Sequence, residues 1–326
     1  MLSRVADSIY WMARYVERAE NVARFLDVNL TLMLDAPVVG PSQWQPLVNT
    51  TGDEADFKAR YGEATEEGVI RFLTLDADNP NSIYSCLRAA RENARSVREI
   101  IPSEMWEQLN GCYLNVRAAA HGGPLRRPQD FCAALKQASH LFGGLTEATM
   151  TRNEAWHFLQ LGRMLERADK TSRILDVKYY MLLRSAQDVG TPMDEIQWAA
   201  VLRSASAFEM YRQRHGRIAP DTIVQFLLLD AEFPRAIRFC LDRARASLHA
   251  ITGTPAGGFR HPPEKLLGQL CSDLAYTLVG EVIQRGLHEY LDDLQTRMNG
   301  VSDGIYETFF ALRAPLAGAA RERSAA

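Results

Sequence analysis

The sequence predicts an all-α fold built as an internally duplicated helical bundle, with two similar halves in a pseudo-twofold arrangement. Long segments place apolar residues three and four apart, strand signals are scarce, and a charged stretch near the start returns in the middle. Arg14-Tyr-Val-Glu17-Arg18-Ala19-Glu-Asn-Val-Ala-Arg24-Phe-Leu26-Asp27-Val28 recurs as Arg163-Met-Leu-Glu166-Arg167-Ala168-Asp-Lys-Thr-Ser-Arg173-Ile-Leu175-Asp176-Val177, with eight of fifteen positions identical and five of those eight charged. Duplicated halves that keep only a fold tend to keep apolar positions and let charges drift, so the retained charges point to selection.

The first element is a helix whose apolar stripe runs Leu2, Val5, Ile9, Met12, Val16, Ala19, Ala23, Leu26, Leu30 and Met33. The surroundings of Gln43-Trp44, which recur as Gln197-Trp198, read as loop, each tryptophan anchoring it to the body. Phe57-Lys-Ala-Arg60-Tyr-Gly62 recurs as Tyr211-Arg-Gln-Arg214-His-Gly216; each glycine reads as a helix end and each arginine as a cation on the helix C-terminus. Val69 to Leu75 is the one short run open to a strand reading. Phe72-Leu73-Thr-Leu75-Asp76-Ala77-Asp-Asn-Pro80 matches Phe226-Leu227-Leu-Leu229-Asp230-Ala231-Glu-Phe-Pro234, with Asp76 and Asp230 at helix junctions. Asn79-Pro80 reads as an N-cap and first helical position, opening a helix over Ile83 to Ile101 that stops at Pro102. His121 to Pro128 reads as a loop. Gly144-Leu-Thr-Glu147 pairs with Gly300-Val-Ser-Asp303, which suggests close helix packing beside an exposed acid.

The first copy covers residues 1–150 and the second 151–314, with 315–326 as a frayed tail. No Gly/Ser- or Pro-rich linker divides the copies: Leu135 to Met150 is apolar-periodic and leads at once into Asn153-Glu-Ala-Trp156-His-Phe-Leu159. The expectation is one body with a shared core, which 326 residues suffice to build.

A net charge of -3 and a pI near 6.2 provide no field for gripping nucleic acid or an anionic membrane, so neither is expected as a partner. The five cysteines are odd in number, scattered and form no Cys-x-x-Cys pair, which suggests neither a disulfide framework nor a thiolate zinc site and fits a reducing cytoplasm. Charge at Arg4 and Asp7 interrupts the opening, so no signal peptide is expected, and no membrane-length apolar run follows.

On a helix advancing about 100° per residue, Arg14, Glu17, Arg18 and Arg24 lie opposite the Val5, Met12, Val16, Ala23 stripe, as a solvated face would. Yet Tyr10, Trp11, Phe25 and Val28 fall among these charges, as do Trp156, Leu159, Ile174 and Val177 in the second copy. A helix apolar almost all round is a central helix, and charges on it must be paired or bound. Two arrangements satisfy that demand. In one, Glu17 bridges Arg14 or an arginine of the other copy, Glu166 does the same in return, and the role is structural. In the other, Arg14, Arg18, Arg163 and Arg167 offer guanidinium forks to a carboxylate or phosphate, with Glu17 and Glu166 orienting them or binding an amine.

Glu154-Ala-Trp-His157 has the i, i+3 spacing of di-iron bundles but no counterpart in the other half, so no metal centre is expected. Walker, Gly-x-Gly-x-x-Gly and Gly-x-Ser-x-Gly motifs are missing, and no cofactor is assigned. No constellation names a catalytic residue.

The Glu17-Arg18 and Glu166-Arg167 pairs, with the opening Leu2-Ser-Arg-Val-Ala-Asp7-Ser-Ile-Tyr-Trp11-Met-Ala-Arg14-Tyr-Val-Glu17-Arg18-Ala-Glu-Asn21, resemble the bacterial alpha-E family, all-helical proteins named for a recurrent Glu-Arg motif. The resemblance spans almost the whole chain. It implies a context: members are encoded beside, or fused to, ATP-grasp ligase-like and transglutaminase-like proteins. The implied role is that of an accessory protein acting with an ATP-grasp-type ligase in making or modifying a peptide or amide-linked small molecule, its Glu-Arg clusters holding an anionic group. A non-catalytic helical scaffold with the same pairs as buried struts is the alternative.

Overall fold

Two long helices, α1 (Ser3–Asp35) and α8 (Glu154–Leu182), lie side by side at the centre of a computed structural model that describes residues 1–35, 44–182 and 191–311. They run parallel: the Met1 amino group meets Glu154, the Tyr10 carbonyl lies against Gly162, and Arg18 meets Glu166. Parallel neighbours cannot be joined by a short turn. The chain between them forms α2 (Gln45–Thr51), α3 (Glu54–Tyr61), α4 (Glu66–Thr74), α5 (Ile83–Ser96), α6 (Ser103–His121) and α7 (Pro128–Thr149).

After α8 come α9 (Pro192–Ser204), α10 (Phe208–His215), α11 (Pro220–Val224, continued by a π-turn over Gln225–Leu229), α12 (Ile237–Thr252), α13 (Pro262–Tyr276), α14 (Val279–Arg285) and α15 (Leu287–Ile305, continued by a π-turn to Phe310). Helices α5 and α7 flank α1 and α6 covers them; α12 and α15 flank α8 and α13 covers those. Helix α2 packs on α8, and α9 packs on both α1 and α8. No strand occurs among the described residues, and Val69 to Thr74 belongs to α4.

The apolar stripe of α1 is buried from Ile9 through Leu30, and so are Tyr10 and Phe25 on its charged side, which makes α1 a central helix; Leu2, at its start, is exposed. One contiguous core extends from Ala6 on α1 to Phe310 at the end of α15. Gly62 and Gly216 end α3 and α10 at φ of 74° and 70°, a left-handed geometry that favours glycine.

Several local expectations are corrected. Helix α5 starts after Ser82, whose hydroxyl accepts the Ser85 amide at 3.1 Å, and it ends at Ser96 rather than Ile101. Asn79 instead ties the preceding loop, its amide donating to the Phe72 carbonyl and its carbonyl oxygen accepting the Asn81 amide. Trp44 and Trp198 are both buried, but Trp198 sits inside α9 and Trp44 immediately precedes α2, so neither pins a long loop; Gln43 lies outside the described residues, as does the expected tail at 315–326. A Cβ on Gly144 or Gly300 would meet nothing within 4 Å, so these glycines mark no close packing. The close approach is at Gly162.

Arg60 and Arg214 do more than sit at helix ends. Arg60 donates to Asp76 at 2.9 Å and Arg214 pairs with Asp230, tying α3 and α10 to the loops that follow α4 and α11. Asp76 also accepts the Tyr61 hydroxyl and the Asp78 amide, and Asp230 the amides of Glu232 and Phe233. Both recurring aspartates are therefore junction clips.

Candidate functional site

The Glu-Arg motif of each central helix faces the other. Both Glu166 oxygens are bound from α1: Arg18 Nε donates to Oε1 at 2.6 Å and Nη2 to Oε2 at 3.1 Å, while Arg14 Nε donates to Oε2 at 2.7 Å. In return Arg167 Nε and Nη2 donate to Glu17 Oε1 and Oε2, each at 2.8 Å. Glu17 and Glu166 are buried. Two bidentate forks thus clamp the helices to each other, a planar geometry that a lysine point charge does not reproduce.

The remaining donors are largely engaged. Arg18 Nη1 donates to Asn81 at 2.8 Å, and Arg14 Nη1 to the Tyr10 hydroxyl at 3.0 Å and to Ser302 on α15 at 3.3 Å. Arg14 and Arg18 also lie over the Trp11 and Tyr15 rings, at 5.0 and 5.7 Å from the centroids. The network then spreads outward. Arg235, just before α12, bonds Glu17 and Asn21 at 3.2 Å and also binds Glu20, which pairs in turn with Arg24. Asp169 pairs with Arg173 and Lys170, both at 3.0 Å.

Five of the six residues singled out from sequence therefore form two reciprocal ion-pair clusters at one interface, Arg14 and Arg18 on Glu166 and Arg167 on Glu17. Arg163 stands at its edge: it reaches Glu147 at 3.2 Å and Gln160 at 2.8 Å, and its buried Nε lacks an acceptor among the described residues. Burial and the neighbouring Arg167 pull its pKa down. Glu147, expected as a mere exposed acid, is thus a partner of the motif.

Sequence reasoning missed Arg235, Glu20 and Asn81. Arg235 was hidden because Pro80 and Pro234 recur while the residues after them, Asn81 and Arg235, do not. Glu20 had a signal: both recurring stretches carry an acid there, Glu20 and Asp169, four residues before a recurring arginine, Arg24 and Arg173.

Burial alone would raise the Glu166 carboxyl, but Arg18 and Arg14 outweigh it and hold it well below the usual carboxylate range. Against the same burial, Arg235 and a bond to His140 hold Glu20 well down, and Arg167 and Arg235 lower Glu17 despite the nearby Glu20. A carboxyl whose folded pKa lies below its unfolded value contributes its full stability above the unfolded value, about 4.3 for Glu, and loses it as the pH falls through the folded one. Melting midpoints followed by circular dichroism should begin to drop below about pH 4.5, and less steeply in a Glu17→Gln, Glu166→Gln double variant. A double variant that falls as steeply as the wild type would contradict this assignment.

Elsewhere the chemistry is quiet. Burial pushes the thiols of Cys86, Cys132, Cys240 and Cys271 up to about 12 and that of Cys112 to about 11, far from nucleophilic. Among the described residues no group of three or more His, Cys, Asp or Glu side chains could hold a metal, and Glu154 is paired with the Met1 amino group at 2.8 Å. No single helix among them is long and apolar enough to cross a membrane.

Uncharacterized proteins of Mycobacterium bovis and Mycobacterium tuberculosis are 24% identical to the chain over 336 aligned positions, which cover 95% of it and 37% of each of them. The chain thus spans little more than a third of the length of these relatives. No solved structure matches it. The Alpha-E family model, described as a predicted alpha-helical domain with a conserved ER motif, matches residues 1–310, the span that holds both Glu-Arg pairs. By that match the chain belongs to the Alpha-E family.

Proposed function

We propose that this protein is a duplicated helical interaction module whose Glu-Arg motifs are internal struts, and that it works beside an ATP-grasp-type ligase and a transglutaminase-like protein in making or modifying a peptide or amide-linked small molecule. The observation that carries the strut reading is the saturation of Glu17 and Glu166: each buried carboxylate is gripped through both oxygens by arginine of the other central helix. A motif spent in this way fixes helix orientation and leaves partner recognition to the outer surface. The duplication draws its support from the recurring stretches and from the reciprocal bonding of Arg18 with Glu166 and Arg167 with Glu17. The partner reading rests on the context that family membership implies, and it fits the mycobacterial relatives, in which a matching region is part of a much longer polypeptide.

A second reading, in which the cluster holds an anionic group, draws on Arg163, whose buried Nε has no acceptor among the described residues. Thermal melts separate the two, because a ligand of the native state raises the midpoint by mass action. On the strut reading, a purified ATP-grasp neighbour raises the midpoint of the wild type and of Arg163→Gln alike, while phosphate, acetate and amino acids at millimolar concentration leave both unchanged. A rise with one of these small anions that Arg163→Gln abolishes would replace the strut reading with the second one. A neighbour that neither shifts the midpoint nor co-elutes would overturn the partnership.

A further inference from the structure

A cleft of about 510 Å³ opens between α4 and the loop joining α6 to α7, where Ile70, Leu75 and Leu125 give it an apolar lining. The duplication proposed above pairs α4 with α11, α6 with α13 and α7 with α15: Phe72-Leu73-Thr-Leu75-Asp76 recurs as Phe226-Leu227-Leu-Leu229-Asp230, and the two sets of helices follow one packing order. In that correspondence Ile70 matches Val224 and Leu75 matches Leu229. One element breaks the match. The chain from α6 to α7, residues 122–127, holds no helix, whereas the chain from α13 to α15, residues 277–286, holds α14. Helix α14 packs on α11 and on α15, with Val282 fully buried and Val279, one turn before it, against the core. What stays open in the second half is a smaller cleft of about 300 Å³ beside Leu229 and Thr277. The first half thus leaves open a groove whose counterpart is partly filled by a helix.

Helix-in-groove recognition seats apolar anchors one turn apart, and Val279 and Val282 are such anchors. The wall of the α4 cleft is poorly suited to fold inward and replace them: Pro124 and Pro128 stiffen the loop on either side of Leu125, and Gly123 turns it at a φ of 90°. A second copy of the chain cannot donate α14 without stripping Val282 from its own core. In the mycobacterial relatives the larger part of the polypeptide lies outside the matching region, so sequence beyond this module exists to supply a helix. We infer that the α4 cleft is the docking groove for a short amphipathic helix of a partner protein, seated as α14 is on α11, with apolar residues three or four apart on Ile70, Leu75 and Leu125. The inference rests on the duplication and on the partner reading, and it names the surface that a partner uses.

A peptide of residues 277–287, cross-linked into a helix through positions 280 and 284, which face solvent in α14, carries the two anchors without the cost of ordering a short chain. Titrated with the full-length protein and followed by fluorescence anisotropy, it should bind saturably below about 1 mM. The chain's own α14 holds the second-half groove at high effective concentration, so binding reports on the first half. Val282→Glu in the peptide and Leu125→Glu in the protein should each weaken binding about tenfold or more, the loss of one buried apolar side chain. Leu125 is only half-buried on its loop, so that variant should melt with the wild type. Replacing residues 122–127 by a second copy of residues 277–286 should close the cleft from within and abolish binding as well. Excess peptide should also displace a purified ATP-grasp neighbour. The docking role is overturned by an absence of saturable binding up to about 1 mM, by binding that survives both glutamate substitutions, or by a neighbour that co-elutes equally well in excess peptide. A neighbour that never co-elutes, while the peptide binds as described, overturns the partnership and leaves the groove standing.

Discussion

Replacing Glu166 by alanine is expected to destabilise the protein by about 3–5 kcal/mol, the cost of stranding buried charge. Two guanidiniums lose their anion at once, since Arg14 and Arg18 both bond this carboxylate and both are nearly enclosed. Water cannot readily replace the lost acceptor: Glu166 itself has no exposed surface, and α1 and α12 pack along α8. Urea unfolding of wild type and variant gives the difference directly. Replacing the acid and both its arginines together, Glu166→Leu with Arg14→Met and Arg18→Met, should recover most of the loss, because apolar groups of similar volume often substitute for a buried ion cluster at little cost. A loss below about 1 kcal/mol for Glu166→Ala would mean that the arginines find other anions, and the strut reading would fail.

The next largest effect is expected at Gly162. A Cβ there would lie 2.4 Å from the Tyr10 carbonyl oxygen and 3.2 Å from its carbon, which are backbone atoms of a central helix and cannot rotate away. In an exposed helix Gly→Ala gains about 1 kcal/mol; here the overpacking term of about 1–3 kcal/mol should reverse the sign. Since α1 and α8 must separate to admit the methyl group, the forks between Glu17, Arg167, Arg18 and Glu166 should lengthen too. Gly162→Ala combined with Glu166→Ala should then lose less than the sum of the single losses, a coupling that a double-mutant cycle measures. A Gly162→Ala variant as stable as wild type would show that the helices slide apart freely.

The central position of α1 was legible because Tyr10, Trp11 and Phe25 share a face with Arg14 and Arg18, and only burial reconciles those neighbours. That the charges had to be paired followed from the same point. Which acid meets which arginine was not legible: Glu17 has Arg14 one turn away on its own helix yet binds Arg167 across the interface, a choice made by tertiary packing. Gly162 was unreadable for a similar reason. Its counterpart, one residue before the recurring stretch, is Ala13, so nothing in the pattern marks where the two backbones approach. Ser82 was overlooked because Asn79-Pro80 is the stronger capping signature on local grounds, and the structure uses Asn79 for the loop instead.

The parallel course of α1 and α8 also bears on how the chain comes to be made. Every bond between the two motifs joins residues 148 to 152 positions apart, so α1 leaves the ribosome long before its partner exists. At about 5–20 residues per second the interval is on the order of 10–30 s, during which Glu17 faces neither Arg167 nor Arg235 and must stay in water. Until then α1 has α5 and α7 for neighbours but not α8, so the nascent first half waits as a half-open bundle. Its charged face, sealed in the finished protein, is in that interval the part of the molecule that keeps an unfinished chain hydrated.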